Sequence, residues 1–534
     1  MPWLTILLAL PIVGGLVLML QPRLSAGAAR GIACLVAPAT FGVACGLLFG
    51  FHPNRGPQRQ ERHDWISSVG LEWTLRLDGI SLALVMLTAL IFMITVCALV
   101  VKFLPERNPA VYLGLILVAE GALMGLWLAG NLLLFYVFWE LMLVPFYFLI
   151  GVWGAEGRRQ AVTRFVIYTM FGSLIMLVGI VATGVFAQRV TGQFTLDIEA
   201  LRGVVFTEDQ SRWLFAAFAL AFAIKLPLFP FHGWLPGAYG TAPIAVTVLL
   251  AAVMSKAGAY GFMRIGLPVF PDGAAFWQNT LIVMAVVGII YGSVVAWRAP
   301  TMRLVVAYSS LAHLGFVAIG IMAIDPQAAQ GAVLQMVNHG LVVAAAFAVV
   351  GLLARRSGRE GVDDLGGLAD GAPWLAGVFL MVTMASLAIP GSNSWAGEFF
   401  ILVGAFRHSA WAVILASLGT VYASVYMLRL YQRTMNGPRG ATPGKAVEMG
   451  GADWAMLAPL VAVMGVIALW PHGVLRATEH SVERVVAPAQ QALNRPASEI
   501  KAAVPANPPE TSLPLPGDPL PQPTSPTPNT GATP

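Results

Sequence analysis

The sequence predicts an all-α polytopic membrane protein of about fourteen transmembrane helices, and three observations lead there. Apolar runs of roughly 20 residues, enough to cross a bilayer, recur from end to end. Of 534 residues, 57% are hydrophobic and only 11% charged, where a soluble domain carries about 25% charge. Lys and Arg gather in alternate gaps between the runs, the asymmetry that orients a membrane protein. The net charge of +5 is therefore a topology signal and does not point to nucleic acid.

The runs fall near 2–21, 29–51, 79–102, 111–129, 131–152, 163–187, 212–235, 244–265, 275–296, 303–323, 328–353, 373–406, 409–432 and 452–471. The first has no basic region before it and no cleavage site, so it reads as a retained helix. The stretch 111–152 is twice the length needed to span and is divided at Ala129-Gly130-Asn131. Basic loops contain Arg23 and Arg30; Lys102 and Arg107; Arg158, Arg159 and Arg164; Arg298 and Arg303; Arg355, Arg356 and Arg359; and Arg433, Arg439 and Lys445. With these on the cytoplasmic side, both termini are external. Segment 52–78 is the awkward loop, because Arg55, Arg59 and Arg62 sit on the external side, diluted by Glu61, Asp64 and Glu72.

Two runs are interrupted by proline, at 225–236 (KLPLFPFHGWLP) and at 389–398 (IPGSNSWAGE). Proline removes a backbone donor and clashes with the preceding turn, so each helix should break inside the membrane. Interruptions at matching places in two halves mark the ion site of many transporters, and two unrelated proline kinks are the plain alternative. They fall in the seventh and twelfth spans, five apart. A repeat of five spans must invert, which gives spans 4–8 and 9–13 as inverted repeats with broken helices 7 and 12. The expected organisation is 1–110 for three helices and the external loop, 111–270 for the first repeat and 271–435 for the second. Then come a last helix within 436–487 and a Pro-rich tail, 488–534, whose composition buries no core.

The chemistry should lie in charges that lipid disfavours. Glu120 and Glu140 each sit about ten residues from the turn at Gly130, ~15 Å deep at ~1.5 Å per residue. They could share a proton if their helix faces meet. Lys225 precedes the first break, Lys256 is centred in the eighth span, His313 and His339 lie in the tenth and eleventh, and Glu398 follows the second break. A charge at a helix centre costs roughly 2.5–3.5 kcal/mol, so Glu140, Lys225, Lys256 and Glu398 alone and ionised would cost on the order of 10–14 kcal/mol. Such groups must pair, neutralise or line water, which makes a proton path the expected role. For Glu120 and the histidines an interhelical hydrogen bond is the plain alternative. His232, beyond the first break, could cap freed backbone. Arg164, Arg264 and Arg303 read as span-edge anchors. Cys34, Cys45 and Cys97 have no metal-ligand spacing and read as small hydrophobes, so neither a metal nor a redox cofactor is expected.

Residues 131–150 (NLLLFYVFWELMLVPFYFLI), 225–236, 306–316 (VAYSSLAHLGF) and 397–402 (GEFFIL) together resemble the antiporter-like, proton-translocating subunit M family of NADH:quinone oxidoreductase, respiratory complex I. The resemblance runs from about residue 75 to 475. It implies a half-channel built on Glu140 and Lys225, joined through Lys256, His313 and His339 to Glu398. It also implies L- and N-type membrane subunits as partners, a non-redox role in the enzyme, and no cofactor in this chain. Related subunits commonly have lysine at the last position, so Glu398 favours the M type. Gly237 and Tyr239 stand where the family usually has Asp and His, Gly130-Asn131 where it often has Asp, and Arg303-Leu-Val where it commonly has Lys-Arg-Leu. These departures bear on proton entry. The same resemblance leaves an Mrp-type cation/proton antiporter subunit, or a subunit of a membrane-bound hydrogenase or formate-linked complex, as alternatives. A structural spacer would gain nothing from so many buried ionisable groups, and no substrate motif indicates a solute permease.

Overall fold

The computed structural model describes residues 2–21, 24–66, 71–438 and 448–495. The tail from 496 onward and the loop residues Arg23, Arg439 and Lys445 lie outside the described residues. In chain order the helices are α1 (Trp3–Leu20), α2 (Ala26–Phe49), α3 (Gly79–Phe103), α4 (Pro109–Leu128), α5 (Leu132–Trp153), α6 (Arg158–Thr191), α7 (Glu208–Lys225) and α8 (Leu235–Thr241). They continue with α9 (Ile244–Val269), α10 (Pro271–Arg298), α11 (Met302–Met322), α12 (Pro326–Ser357), α13 (Pro373–Ser386), α14 (Asn393–Phe406), α15 (Ala410–Met435), α16 (Gly451–Leu469) and α17 (His472–Leu493). Twelve of these, α1–α6, α9–α12, α15 and α16, are long and apolar enough to cross a membrane.

Local chemistry sets the helix ends. Asn131 accepts from the Leu134 N–H at 2.7 Å and opens α5, while its own amide donates to Glu72 O. Asp78 caps α3, Thr301 caps α11, Asp325 caps α12, and Thr207 with Gln210 forms a capping box on α7. Helices α4, α9, α11 and α12 are buried along almost their whole length, whereas α1, α2, α6, α15 and α16 keep one apolar face outward. Glu120, Lys256, His313 and His339 thus stand on the four most enclosed helices.

Segment 52–78, expected as a loop in an all-helical chain, contains an antiparallel hairpin of β1 (Gln58–Ile66) and β2 (Leu71–Leu77), paired Glu61 to Leu75 and His63 to Trp73. Its Glu61 carboxylate accepts from the Leu4 and Thr5 N–H groups at 2.7 and 2.9 Å, supplying a negative charge to the open N-terminus of α1. A second difference is α17, an amphipathic helix that no apolar run signals. It buries Thr478, Ser481, Val482, Val485, Val486 and Ala489 and presents Arg476, Glu479, His480, Glu483 and Arg484 on the other face. It runs on to Leu493, so the tail boundary set at 488 lies inside it. Ser481 Oγ accepts from the Gly79 N–H, which holds α17 at the same end of the bundle as the hairpin. That end also holds the start of α1.

Among the described residues, a helix without proline at its break is interrupted as well as the two that proline marked. The segment between α7 and α8 breaks at 226–230 and continues as a 3-10 turn, Phe231–Trp234; α13 and α14 are separated by 387–392. The third break is within α9, read from the sequence as continuous. Its backbone leaves the helix at Val253 (φ −122°, ψ −60°), and Met254–Lys256 forms a 3-10 turn.

Candidate functional site

Each buried lysine sits where a helix stops. Lys225 is the last residue of α7, and the carbonyl of Ile224 freed by the break accepts from Trp234 Nε1 at 2.8 Å. Lys256 closes the 3-10 turn of α9, and its Nζ donates to Ala251 O at 2.6 Å, a carbonyl released by the third break. Unsatisfied backbone in a membrane needs such partners. The two breaks abut because residue 258 is glycine: a Cβ there would lie 2.3 Å from Phe222 O and 2.7 Å from Leu226 N.

From Lys256 a chain of side chains runs through four helices, α9, α12, α11 and α14. Lys256 Nζ lies 2.8 Å from His339 Nδ1, the His339 and His313 rings have centroids 6.0 Å apart, and His313 Nδ1 lies 2.9 Å from Glu398 Oε1. All four residues are buried. A charged Lys256 donates to His339 Nδ1, which leaves the His339 proton on Nε2; a His313 proton on Nδ1 donates to the carboxylate. The two Nε2 atoms have no protein partner.

Gln335 was missed by the sequence reading. Its Nε2 donates to Glu398 Oε1 at 3.0 Å. With Asn338 and His339 it occupies positions i, i+3 and i+4 of α12, one polar face in an apolar span, and that spacing was the available signal. Asn338 Nδ2 donates to Asn393 O at 2.7 Å at the second break. Helices α12 and α14 approach closely through glycine, since a Cβ on Gly397 would meet Gln335 Oε1 at 2.5 Å.

The Glu140–Lys225 half is arranged differently. Lys225 Nζ has no hydrogen-bond partner and stands 5.1 Å above the ring of Trp139 and 6.0 Å from that of Phe165. Glu140, half-buried on α5, leaves its Oε1 buried without a partner, and no ion pair within 4.0 Å joins it to Lys225. Glu120 is fully enclosed and neither carboxylate oxygen has a partner, so no hydrogen bond links it to Glu140. His232 does not cap the first break, a task that falls to Trp234. Its ring stacks on Phe229 at 5.5 Å and its Nδ1 is unpartnered.

Arg264 is not the edge anchor its position suggested. It is buried in α9, and its Nη1 lies 2.5 Å from Asp78 Oδ2. Tyr260, one turn earlier, donates to Trp127 O at 2.7 Å and bonds Ser81. Arg303 binds the carbonyls of Gly240 and Ala242 and pairs with Glu360 at 3.0 Å, while Arg164 is exposed.

Comparison with known proteins agrees with this architecture. Residues 129–423 match the family described as NADH:quinone oxidoreductase/Mrp antiporter, TM. The chain is 34% identical to NADH-quinone oxidoreductase subunit M of Mycobacterium tuberculosis, over 95% of this chain and 97% of that one. It is 36% identical to the subunit M of Rhodobacter capsulatus, over 88% and 93%. Among solved structures, respiratory complex I from Thermus thermophilus contains a chain similar at TM-score 0.83 and 29% identity, covering 91% of this chain and 99% of that one. The Mrp complex from Dietzia contains another at TM-score 0.78 and 21% identity, covering 92% and 99%, a likeness of fold.

Proposed function

The chain belongs to the NADH:quinone oxidoreductase/Mrp antiporter family of membrane subunits, and we propose that it is the proton-translocating, M-type membrane subunit of NADH:quinone oxidoreductase. The observation that carries this reading is the buried file Lys256–His339–His313–Glu398, whose members are titratable and spaced by hydrogen-bond or ring contacts. Groups of this kind in a membrane core are costly unless they conduct or bind ions.

In this mechanism Glu140 and Lys225 form the loading half. Lys225 is held over an aromatic ring with no carboxylate at bonding distance, so its charge depends on the field from Glu140 and from neighbouring subunits. A change in that field releases its proton toward Lys256. From there it passes to His339, across the 6.0 Å between the two ring centroids to His313, and on to Glu398. Gln335 fixes the Glu398 carboxylate to receive it. Glu120 and His232 are auxiliary members, the second lying beyond the break that follows Lys225. The chain contributes no redox chemistry; quinone reduction in other subunits supplies the energy.

The two proline breaks, added to the twelve long helices, make up about fourteen spans, and their five-span separation supports inverted repeats over 111–270 and 271–435. The bundle lies in the bacterial inner membrane with the hairpin end external, so that both termini are external, and L- and N-type subunits are its neighbours. Basic loops at the opposite end support this orientation. The test is NADH-driven proton uptake by vesicles containing the assembled complex. Lys225→Ala or Glu140→Ala should suppress uptake; normal uptake with normal assembly removes the role. Sodium-dependent pH gradients without NADH would instead indicate an Mrp-type exchanger.

A further inference from the structure

At the end opposite the hairpin, a crevice of about 600 Å³ opens between α3, α9, α12 and α16. Its walls are apolar, with Ile91, Leu99, Val248, Ala344, Ala348 and Leu352 among them. Along α3 it extends from Phe103 to Ile91, twelve residues, or roughly 18 Å at ~1.5 Å per residue. That is close to the depth of one leaflet, half of the ~30 Å hydrocarbon core. A second recess of about 310 Å³ adjoins it, sharing Phe103, Leu352 and Arg355, and is lined also by Lys102, Arg356, Glu448 and Asp453.

We propose that the crevice is a binding site for an anionic phospholipid, with one acyl chain between the helices and the phosphate held by Arg355 and Lys102. Two observations carry this. The first is the contrast between floor and mouth. Water in a cavity needs two to four polar partners, and below the rim the lining side chains offer the Thr95 hydroxyl among apolar groups, so the natural occupant is hydrocarbon. At ~30 Å³ for a water-sized group the volume holds about twenty such groups, the scale of one chain. The second is unspent positive charge at the mouth. Among the described residues Arg355 has no carboxylate within 4.0 Å; it donates only to Lys102 O and lies over the Phe103 ring. Arg303 Nε and Arg356 Nη1 are buried without an acceptor.

The acids present do not meet this demand. Asp453 is shared by Arg356 at 2.5 Å and Lys102 at 3.3 Å. Glu448 accepts from the backbone N–H groups of Trp374, Leu375 and Met449. Glu360 pairs with Arg303. A phosphate at the rim would give the guanidinium of Arg355 a charge-assisted partner, and basic pockets between membrane helices are suited to anionic headgroups. The floor residues Val248 and Ala344 lie about one turn from Ala251 and Gly340, beside the Lys256–His339 contact. A chain seated there keeps bulk water of that side away from the middle of the proton file; this consequence, unlike the site, rests on the function proposed above.

The assembled complex is placed in phosphatidylcholine vesicles containing a small fraction of phosphatidylglycerol with a photoreactive group in one tail, and labelled peptides are mapped. Segments 91–103 and 344–352 should be labelled several-fold more by this lipid than by the matching phosphatidylcholine probe. Lys102→Gln with Arg355→Gln should reduce the difference to none, and Ala348→Trp, which fills the crevice, should remove the label there. Excess inorganic phosphate should leave it unchanged. Equal labelling by the two lipids, no label in those segments, or erasure by phosphate would overturn the proposal. The comparison of probes on the unaltered complex needs no variant to fold.

Discussion

Lys256 Nζ lies 2.8 Å from His339 Nδ1 although the two residues are 83 positions apart, on helices that meet only in the folded bundle. The contact joins the broken helix α9 to the polar face of α12. Replacing Lys256 with Met keeps most of the side-chain volume and removes the titratable amine. Proton uptake by NADH-energised vesicles should fall at least about tenfold, a barrier change of about 1.4 kcal/mol, while the complex still assembles on a native gel. Uptake near the parental rate would exclude Lys256 from the path.

Gln335 tests whether the far end of the file must be positioned. It donates to the same carboxylate oxygen of Glu398 that faces His313. Gln335→Leu should lower protons moved per NADH several-fold without changing NADH oxidation by an uncoupled preparation. Glu398→Gln should abolish the movement. Equal coupling in Gln335→Leu and the parent would reduce this residue to packing.

Gly258 tests the abutment of the two lysine-bearing breaks. The atoms a Cβ would meet, Phe222 O and Leu226 N, are backbone and cannot swing aside. Gly258→Ala should therefore destabilise the fold by about 1–3 kcal/mol, the usual range for overpacking, and slow proton uptake. A thermal melt of the purified complex reads the first effect. An unshifted melt would mean that α7 and α9 can separate freely.

The Asp78–Arg264 pair is buried on both sides. Removing one partner strands a charge, and the cost is about 3–5 kcal/mol. Arg264→Met alone should lower the yield and melting temperature of the complex. Asp78→Asn with Arg264→Met should recover part of the loss, since asparagine still caps α3 and no charge is left alone. A double variant as poor as the single one would show that the pair acts through something other than its charges.

Much of this protein was legible in the order of its residues. Lipid forbids unsatisfied backbone and isolated charge, so the apolar runs, the proline breaks and the buried Glu, Lys and His stood out against their surroundings. Glu120, Lys256, His313, His339 and Glu398, all buried, were singled out by that contrast. The strand pair Gln58–Ile66 and Leu71–Leu77 and α17 were not, because they lie in polar sequence where the rule of long apolar runs is silent. The break at Val253 was hidden for a different reason: no proline marks it, and only the approach of Gly258 to α7 explains why the helix yields there.

The sequence by itself determined which ionisable groups stand within apolar spans and how far each lies from the end of its span, because rise per residue along a helix is fixed. Which group faces which was decided by tertiary structure alone. Helix rotation and glycine-mediated approach turned His313 and Gln335 onto Glu398, left Lys225 over Trp139 instead of against Glu140, and withdrew Arg264 to Asp78. Side-chain bonds act over about 3 Å, a scale on which a modest rotation of one helix exchanges one partner for another.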